Sequence, residues 1–207
     1  LNPYQGEPSS TPLPPPLGDF TLPQVLSVED AVERKSGWIL LDRRMGKLHF
    51  LSDESGLVRS VGGTGLGPGE LQDPVSVAGG DSLVWVLNRR GRTLERFSDT
   101  GDFQGRLEIR GGACLVGLAK EMVFSPGDGL ALLRVCPGTL PGPGTAVIER
   151  LGDDGRLDPV LSLPLCDAGS RQLHLLRTPA MTLAPSGFYM GTWDAPCIRE
   201  VQRSGVP

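Results

Sequence analysis

The chain contains the stretch Leu41-Asp42-Arg43-Arg44-Met45-Gly46-Lys47-Leu48-His49-Phe50-Leu51-Ser52-Asp53, which aligns without a gap on Leu87-Asn88-Arg89-Arg90-Gly91-Arg92-Thr93-Leu94-Glu95-Arg96-Phe97-Ser98-Asp99, 46 residues later. Leu, Arg-Arg, Leu and Ser-Asp fall at matched positions, and a glycine follows each Ser-Asp, at Gly56 and Gly101. The second half recurs at residues 148–155 and, more faintly, at 201–205. A period of about 40–50 residues is typical of arrays of like supersecondary units that bury their apolar faces against one another.

Strand periodicity surrounds each copy of the repeat. In the second unit, short apolar runs at 74–78, 82–87, 93–97 and 103–109 are separated by turn residues, which indicates four antiparallel strands. Four such strands make one blade of a propeller. The sequence therefore predicts an all-β fold, a β-propeller of four-stranded antiparallel blades, with four units near residues 25–62, 74–110, 114–163 and 179–205. Only residues 28–34 and 171–176 show a short helical pattern.

Glycine and proline punctuate the whole chain. The 29 glycines and 19 prolines mostly stand singly between apolar runs, as tight turns require. The exception is the start, where prolines cluster among small and polar residues. We therefore divide the chain into a proline-rich arm or tether at 1–18 and a propeller domain at 19–207.

A family resemblance lies in the linker between the first two units. Residues 62–74 read Gly-Gly-Thr-Gly-Leu-Gly-Pro-Gly-Glu-Leu-Gln-Asp-Pro, which resembles the G-x-G-x-G-P-G-E-(F/L)-x-x-P connector of NHL-type and related bacterial six-bladed β-propellers. That family usually has six blades, whereas four units are visible here. Either a strand around residues 20–26 completes unit four and closes a small ring, or the units belong to a larger ring that continues beyond residue 207.

Charge and hydropathy argue against a nucleic-acid-binding protein and against a membrane-spanning segment, while association with a membrane through a partner or the N-terminal arm stays open. The net charge is −4 with both signs mixed along the chain, so the basic stripe of a nucleic-acid-binding protein is missing. No apolar run approaches the roughly 18–20 residues that span a bilayer. Because the chain opens on Leu1 rather than Met, we expect it to be processed or trimmed.

Three residues end the second strand of their units: Asp42, Asn88 and Asp194. Resemblance to calcium-dependent lactonase propellers would make them oxygen ligands of a metal at the central channel. The alternative is that each caps a turn through side-chain to backbone hydrogen bonds. Regular repetition favours capping, since active sites break repeat symmetry, and we therefore expect no metal or other cofactor.

The sequence shows no obvious catalytic set. His49 and His174 are far apart and have no cysteine or acidic neighbour at metal-ligand spacing. There is no G-x-S-x-G motif, and no serine stands out as a nucleophile.

The loops that break the repeat predict the function. Recognition is expected in loops that depart from a repeat, here 137–144 and 167–178, with candidate contacts at Pro137, Leu140, Pro141, Arg171, His174 and Arg177. We therefore expect a non-enzymatic interaction scaffold, an exported accessory subunit docking on a protein partner in a membrane complex, for example an energy-transducing one. The alternative is an enzyme of the metal-dependent lactonase or hydrolase type.

Four cysteines, Cys114, Cys136, Cys166 and Cys197, give an even count without C-x-x-C spacing. They are either disulfides of an exported protein or buried thiols of a cytosolic one. The trimmed start and the proline tether favour export, to the periplasm or another extracytoplasmic space.

Disulfide mapping tests this expectation. Cys114 opens the first strand of unit three and Cys136 closes the second, so an antiparallel hairpin places them side by side, at the ~5.5 Å Cα separation that a disulfide needs. We expect non-reducing peptide mapping to find Cys114–Cys136, with Cys166–Cys197 left by elimination. Four free thiols in the unfolded, unreduced protein would contradict both pairs.

Overall fold

The computed structural model describes residues 25–35, 37–79, 82–112, 118–125, 129–136, 145–164, 179–184, 187–192 and 195–202. Within these ranges the chain is built from strands, and no helix is long and apolar enough to cross a membrane.

The described strands form three four-stranded antiparallel sheets and one three-stranded sheet. Blade 1 contains β1 (Val28–Arg34), β2 (Gly37–Asp42), β3 (Lys47–Ser52) and β4 (Gly56–Gly62). Blade 2 contains β5 (Ser76–Gly79), β6 (Leu83–Asn88), β7 (Thr93–Ser98) and β8 (Phe103–Glu108). Blade 3 contains β9 (Leu118–Ser125), β10 (Gly129–Cys136), β11 (Thr145–Leu151) and β12 (Leu157–Pro164). The fourth sheet contains β13 (Pro179–Ala184), β14 (Gly187–Thr192) and β15 (Ala195–Gln202). The prediction of a propeller with four-stranded antiparallel blades is confirmed.

The helical interpretation of residues 28–34 is wrong. This segment is strand β1, which pairs antiparallel with β2 from Val28 opposite Asp42 to Arg34 opposite Gly37. Burial alternates along the strand, with Asp30, Val32 and Arg34 half-buried between exposed neighbours. A period of two therefore matches the segment better than a helical period, because β2 offers it a strand edge to pair with. Residues 171–176, the other helical candidate, lie outside the described residues.

Apolar side chains fill the spaces between consecutive blades. Strand β6 is buried on both faces: Val84 and Val86 pack toward blade 1, while Leu87 packs toward blade 3. The first layer contains Ile39, Leu41, Leu48, Phe50, Leu71, Val77, Val84, Val86 and Phe97. The second contains Ala78, Leu87, Leu94, Ala119, Met122, Leu130, Leu132 and Leu157. Each blade therefore buries its faces only by stacking on its neighbours.

The glycines of the connector between blades 1 and 2, residues 62–74, are explained by the contacts that this segment makes. Glu70 folds back so that its carboxylate accepts the Gly67 amide at 2.7 Å. A Cβ at Gly65 or Gly67 would collide with that carboxylate, so these two glycines provide room rather than an unusual φ. Leu71 donates its amide to the Gly63 carbonyl at 2.8 Å and is fully buried in the first apolar layer. The loop thus closes on itself and anchors into the core.

Side-chain hydrogen bonds join the innermost strands of three consecutive blades. Asp30 Oδ2 on β1 accepts the Ser76 hydroxyl at 2.7 Å and the Val77 amide at 2.8 Å. The Ser76 hydroxyl oxygen on β5 accepts the Met122 amide of β9 at 3.1 Å. Ser76 is fully buried. We call Asp30, Ser76 and the Met122 amide the inner tie.

Removal of Asp30 should weaken the junction of blades 1 and 2. Asp30→Ala leaves the Ser76 hydroxyl and the Val77 amide without their acceptor, which costs about 1–3 kcal/mol of unfolding free energy, measured by urea denaturation. Asp30→Asn keeps one acceptor oxygen and should lie closer to the parent protein. Glu33→Ala, an exposed carboxylate on the same strand, is the matched control. Equal stability of Asp30→Ala and Glu33→Ala would show that the inner tie contributes nothing.

Candidate functional site

A buried polar pair recurs at the same place in three blades. The last residue of the second strand, or its repeat equivalent, faces a polar residue of the third strand: Asp42 with His49, Asn88 with Glu95, and Arg134 with Glu149. All six side chains are at least nine-tenths buried. Buried polar groups must be paired to be tolerated, so the identity of each pair sets the chemistry of its blade.

Blades 2 and 3 carry ion pairs at this place. Glu95 Oε1 accepts Arg106 Nε of strand β8 at 2.6 Å and the Asn88 side-chain amide at 3.1 Å. The Arg106 guanidinium continues to the Leu66 and Gly67 carbonyls of the connector, each at 3.1 Å. In blade 3, Arg134 Nε lies 2.7 Å from Glu149 Oε2. These pairs are structural, because they neutralise buried charge and, in blade 2, anchor the connector.

Blade 1 replaces the ion pair with an aspartate, a histidine and a serine. His49 Nδ1 lies 2.8 Å from Ser60 Oγ on the outermost strand β4, and His49 Nε2 lies 3.7 Å from Asp42 Oδ2. Ser60 faces His49 in the same register in which Arg106 faces Glu95. His49 is 1% exposed and Asp42 is fully buried, whereas Ser60 is exposed. The arrangement therefore places a hydroxyl at the surface with a buried imidazole and carboxylate behind it.

The protonation states suit proton transfer from Ser60. Burial lowers the pKa of His49, and the nearby Asp42 carboxylate offsets only part of that effect. Burial raises the pKa of Asp42, but amide hydrogen bonds, led by that of Met45, and the nearby His49 outweigh it, so the pKa lies below its usual 3.8. Near neutral pH, His49 is therefore neutral and Asp42 is ionised. We assign the proton to Nε2, which faces Asp42, so that Nδ1 is free to accept from Ser60.

Asp42 and Asn88, two of the three residues for which we expect turn capping rather than metal binding, accept backbone amides. Asp42 Oδ2 accepts the Leu26 amide at 2.6 Å and Oδ1 accepts the Met45 amide at 2.9 Å. Asn88 Oδ1 accepts the Gln72 amide at 2.8 Å. Of these contacts, that of Met45 caps the turn that follows β2, whereas the Leu26 and Gln72 amides belong to segments 16 residues away in sequence. Asp194 lies outside the described residues, and the described part of the chain contains no cluster of three or more His, Cys, Asp or Glu suited to a metal ion.

The cysteines and the predicted partner loops are only partly visible. Cys136 is disulfide-bonded, and its partner is not among the described side chains. Cys114 and Cys166 lie outside the described residues, as do Pro137, Leu140, Pro141, Arg171, His174 and Arg177. The proposed cysteine pairing and partner loops therefore stay predictions.

Sequence reasoning missed Ser60 and gave His49 no role. Serine is common and no local motif surrounds this one, so a scan for nucleophile motifs passes over it. The available signal was the repeat itself: it aligns His49 with Glu95 and Ser60 with Arg106. The charged pair Glu95 and Arg106 of blade 2 is replaced by His49 and Ser60 in blade 1, and this departure from the repeat would have indicated the site.

Comparisons with known proteins bear on the fold. No family model and no curated protein sequence matches this chain. Among solved structures, it is similar to virginiamycin B lyase from Staphylococcus aureus (15% identity, TM-score 0.52, 86% of this chain and 53% of that one). It is also similar to glutaminyl cyclase from Myxococcus xanthus (15%, 0.51, 86% and 66%) and to a streptogramin B lyase (13%, 0.50, 85% and 65%).

These neighbours contradict the expected non-enzymatic scaffold, because all three are enzymes by name. They favour the alternative, an enzymatic propeller. At this identity the likeness establishes the propeller fold alone, and the NHL resemblance stays a prediction. The chain spans about half to two thirds of the length of these structures.

The lowered pKa of His49 predicts how stability depends on pH. In the unfolded chain His49 titrates near 6.5 and in the folded protein below that, so the unfolded state binds more protons as the pH falls below about 6.5. The contribution of neutral His49 to the unfolding free energy should therefore be fully present above pH 6.5, and it should be lost as the pH falls from 6.5 through the folded pKa. His49→Gln should show a smaller decrease in urea denaturation between pH 7.5 and 5. Parallel pH profiles for the two proteins would contradict the pKa assignment.

Proposed function

We propose that this chain is part of a propeller enzyme that hydrolyses an ester, lactone or related acyl bond, with Ser60 as the nucleophile. One observation carries the proposal: an exposed serine hydroxyl lies within hydrogen-bond distance of a buried neutral imidazole, which is backed by a buried carboxylate. Serine, histidine and aspartate in these roles recur on unrelated folds and are recognised by geometry rather than by sequence position.

The reaction follows from the positions of the three groups. The Ser60 hydroxyl oxygen attacks the acyl carbon while its proton passes to His49 Nδ1. His49 then returns that proton to the departing alcohol oxygen, which leaves an acyl-serine ester. Water attacks this ester with His49 again as the base, releasing the carboxylic acid and restoring the Ser60 hydroxyl. Asp42 orients the ring and stabilises the imidazolium that forms during each attack.

One distance must shorten for this mechanism. The 3.7 Å separation of His49 Nε2 and Asp42 Oδ2 exceeds hydrogen-bond length, and Nε2 has no hydrogen-bond partner among the described residues. Catalytic hydrogen bonds are often long without substrate and tighten in the reacting complex. A positive charge on His49 would supply the attraction, because Asp42 is ionised and both groups are buried.

The same contacts argue against a ligand role for Asp42. Both of its carboxylate oxygens already accept backbone amides, one from the chain that enters blade 1 and one from the β2–β3 turn. A cation bound there would compete with these amides for the same two oxygens. A metal-independent hydrolase therefore fits the described residues better than the calcium-dependent type. The structural neighbours support an enzyme on this fold. They do not identify its reaction, which has to be inferred from the side chains at the site.

An activity-based probe tests the nucleophile directly. A fluorophosphonate should label the folded protein at Ser60, identified by peptide mass spectrometry, because such probes report activated serines without knowledge of the substrate. Ser60→Ala should abolish this labelling, and His49→Gln should slow it by about 10²–10⁴-fold, the range for removing a general base. The labelling rate should rise with pH through a pKa below 6.5, the titration of His49.

Ser55→Ala is the matched control, since Ser55 is an exposed turn serine close to β4, and it should leave labelling unchanged. Circular dichroism would establish that each variant is folded. Folded parent protein that is not labelled at Ser60, or that is labelled equally in His49→Gln, would overturn the proposal.

A further inference from the structure

An arginine-lined cleft opens between the β2–β3 turn of blade 1 and the connector that follows this blade. Its volume is about 490 Å³, and its lining includes Arg43, Arg44, Thr64, Gln72 and Asp73. Small-molecule sites have volumes of roughly 300–1,000 Å³. The arginines come from the β2–β3 turn and the other three residues come from the connector, and Ser27 of the chain that enters blade 1 also lines the cleft.

Among the described residues, the charges at this cleft leave one arginine without an ion-pair partner. Arg43 Nη1 lies 3.0 Å from Glu29 Oε1, and Asp73 Oδ2 lies 3.3 Å from Arg90 Nε. Arg44 is exposed and forms no ion pair with another described residue. The carboxylates at the cleft are thus already matched by arginines, and Arg44 adds an uncompensated positive charge to a protein whose net charge is −4.

The lining suits an oxyanion. A guanidinium presents a planar fork of donors that matches carboxylate and phosphate oxygens. Gln72 supplies a side-chain amide and Thr64 a hydroxyl, both able to donate to the same group. The walls are also held in place. Gly46 in the β2–β3 turn has φ +61°, and a Cβ there would lie 2.8 Å from the Leu71 carbonyl oxygen of the connector. The turn and the connector are therefore in backbone contact.

We propose that this cleft binds the carboxylate or phosphate group of a small ligand, with Arg44 as its principal cation. The site is separate from Ser60, and binding there does not depend on the proposed hydrolytic activity. The two features share one structural link: Arg43 and Arg44 directly follow Asp42, and the Arg43 amide donates to the carbonyl of Ser27, another residue of the cleft wall.

Titration followed by ¹H–¹⁵N NMR tests the site. Inorganic phosphate and, separately, succinate should be added at constant ionic strength maintained with chloride. We expect saturable shifts of the Thr64, Gln72 and Asp73 backbone amides with at least one of the two anions. Which anion saturates at the lower concentration identifies the preferred group.

Arg44→Ala should raise the dissociation constant at least tenfold. Arg89→Ala is the matched control: Arg89 is the exposed repeat equivalent of Arg43 on the next blade, so this variant removes the same charge from the same face and should leave the constant within about twofold. Ser60→Ala should also bind normally, which separates this site from the proposed catalysis. Shifts that do not saturate with either anion, or equal weakening by Arg44→Ala and Arg89→Ala, would overturn the proposal.

Discussion

The inner tie is the interaction on which the rest of the molecule depends. A blade of four twisted strands buries both faces only when other blades pack against it. The apolar layers between blades are non-directional, so they do not by themselves fix how far one blade is shifted along its neighbour. Asp30 and Ser76 fix this relative position, because the side chain of each accepts a hydrogen bond from a backbone amide of the following blade. Burial raises the pKa of Asp30, and three hydrogen bonds to its carboxylate oppose that shift. These hydrogen bonds favour the ionised form of the half-buried carboxylate, which is the form that accepts them.

Because the relative position of adjacent blades is fixed, the repeat places equivalent residues in equivalent surroundings. This is why the buried polar pairs can be compared between blades at all. Blades 2 and 3 satisfy the position with arginine and glutamate, an arrangement in which each charge removes the cost of burying the other. Blade 1 has one ionised group and a neutral ring. Its His49 Nε2 has no hydrogen-bond partner among the described residues, and neither does Glu95 Oε2 in blade 2. What distinguishes blade 1 is the replacement of an arginine–glutamate pair by aspartate, histidine and serine, and such departures from a repeated pattern are expected at functional sites.

The architecture could be predicted from the sequence because the signal is periodic. The alignment of residues 41–53 with 87–99 fixes the strand order of two blades, and β2, β3, β6 and β7 lie where it places them. Strand β1 was obscured by its charged residues, Glu29, Asp30, Glu33 and Arg34, which suit a helix until a strand edge pairs with them. The meeting of His49 and Ser60 depends on the β3–β4 register, which shifts at an irregularity between Phe50 and Leu51. No local pattern specifies that shift, so only comparison with the β7–β8 pairing could have indicated it.

The β2–β3 turn joins the two candidate sites physically. Asp42 ends β2 with its side chain buried toward His49, and the next two residues project into solvent as arginines. The Asp42 carboxylate accepts the Met45 amide and so holds the turn that carries Arg43 and Arg44. It also accepts the Leu26 amide and so holds the chain that enters blade 1. A ligand that drew Arg44 toward the connector would pull on the same turn that positions the carboxylate behind His49. The Asp42 carboxylate is therefore shared by the two candidate sites, because it lies 3.7 Å from His49 Nε2 and holds the turn that carries Arg44.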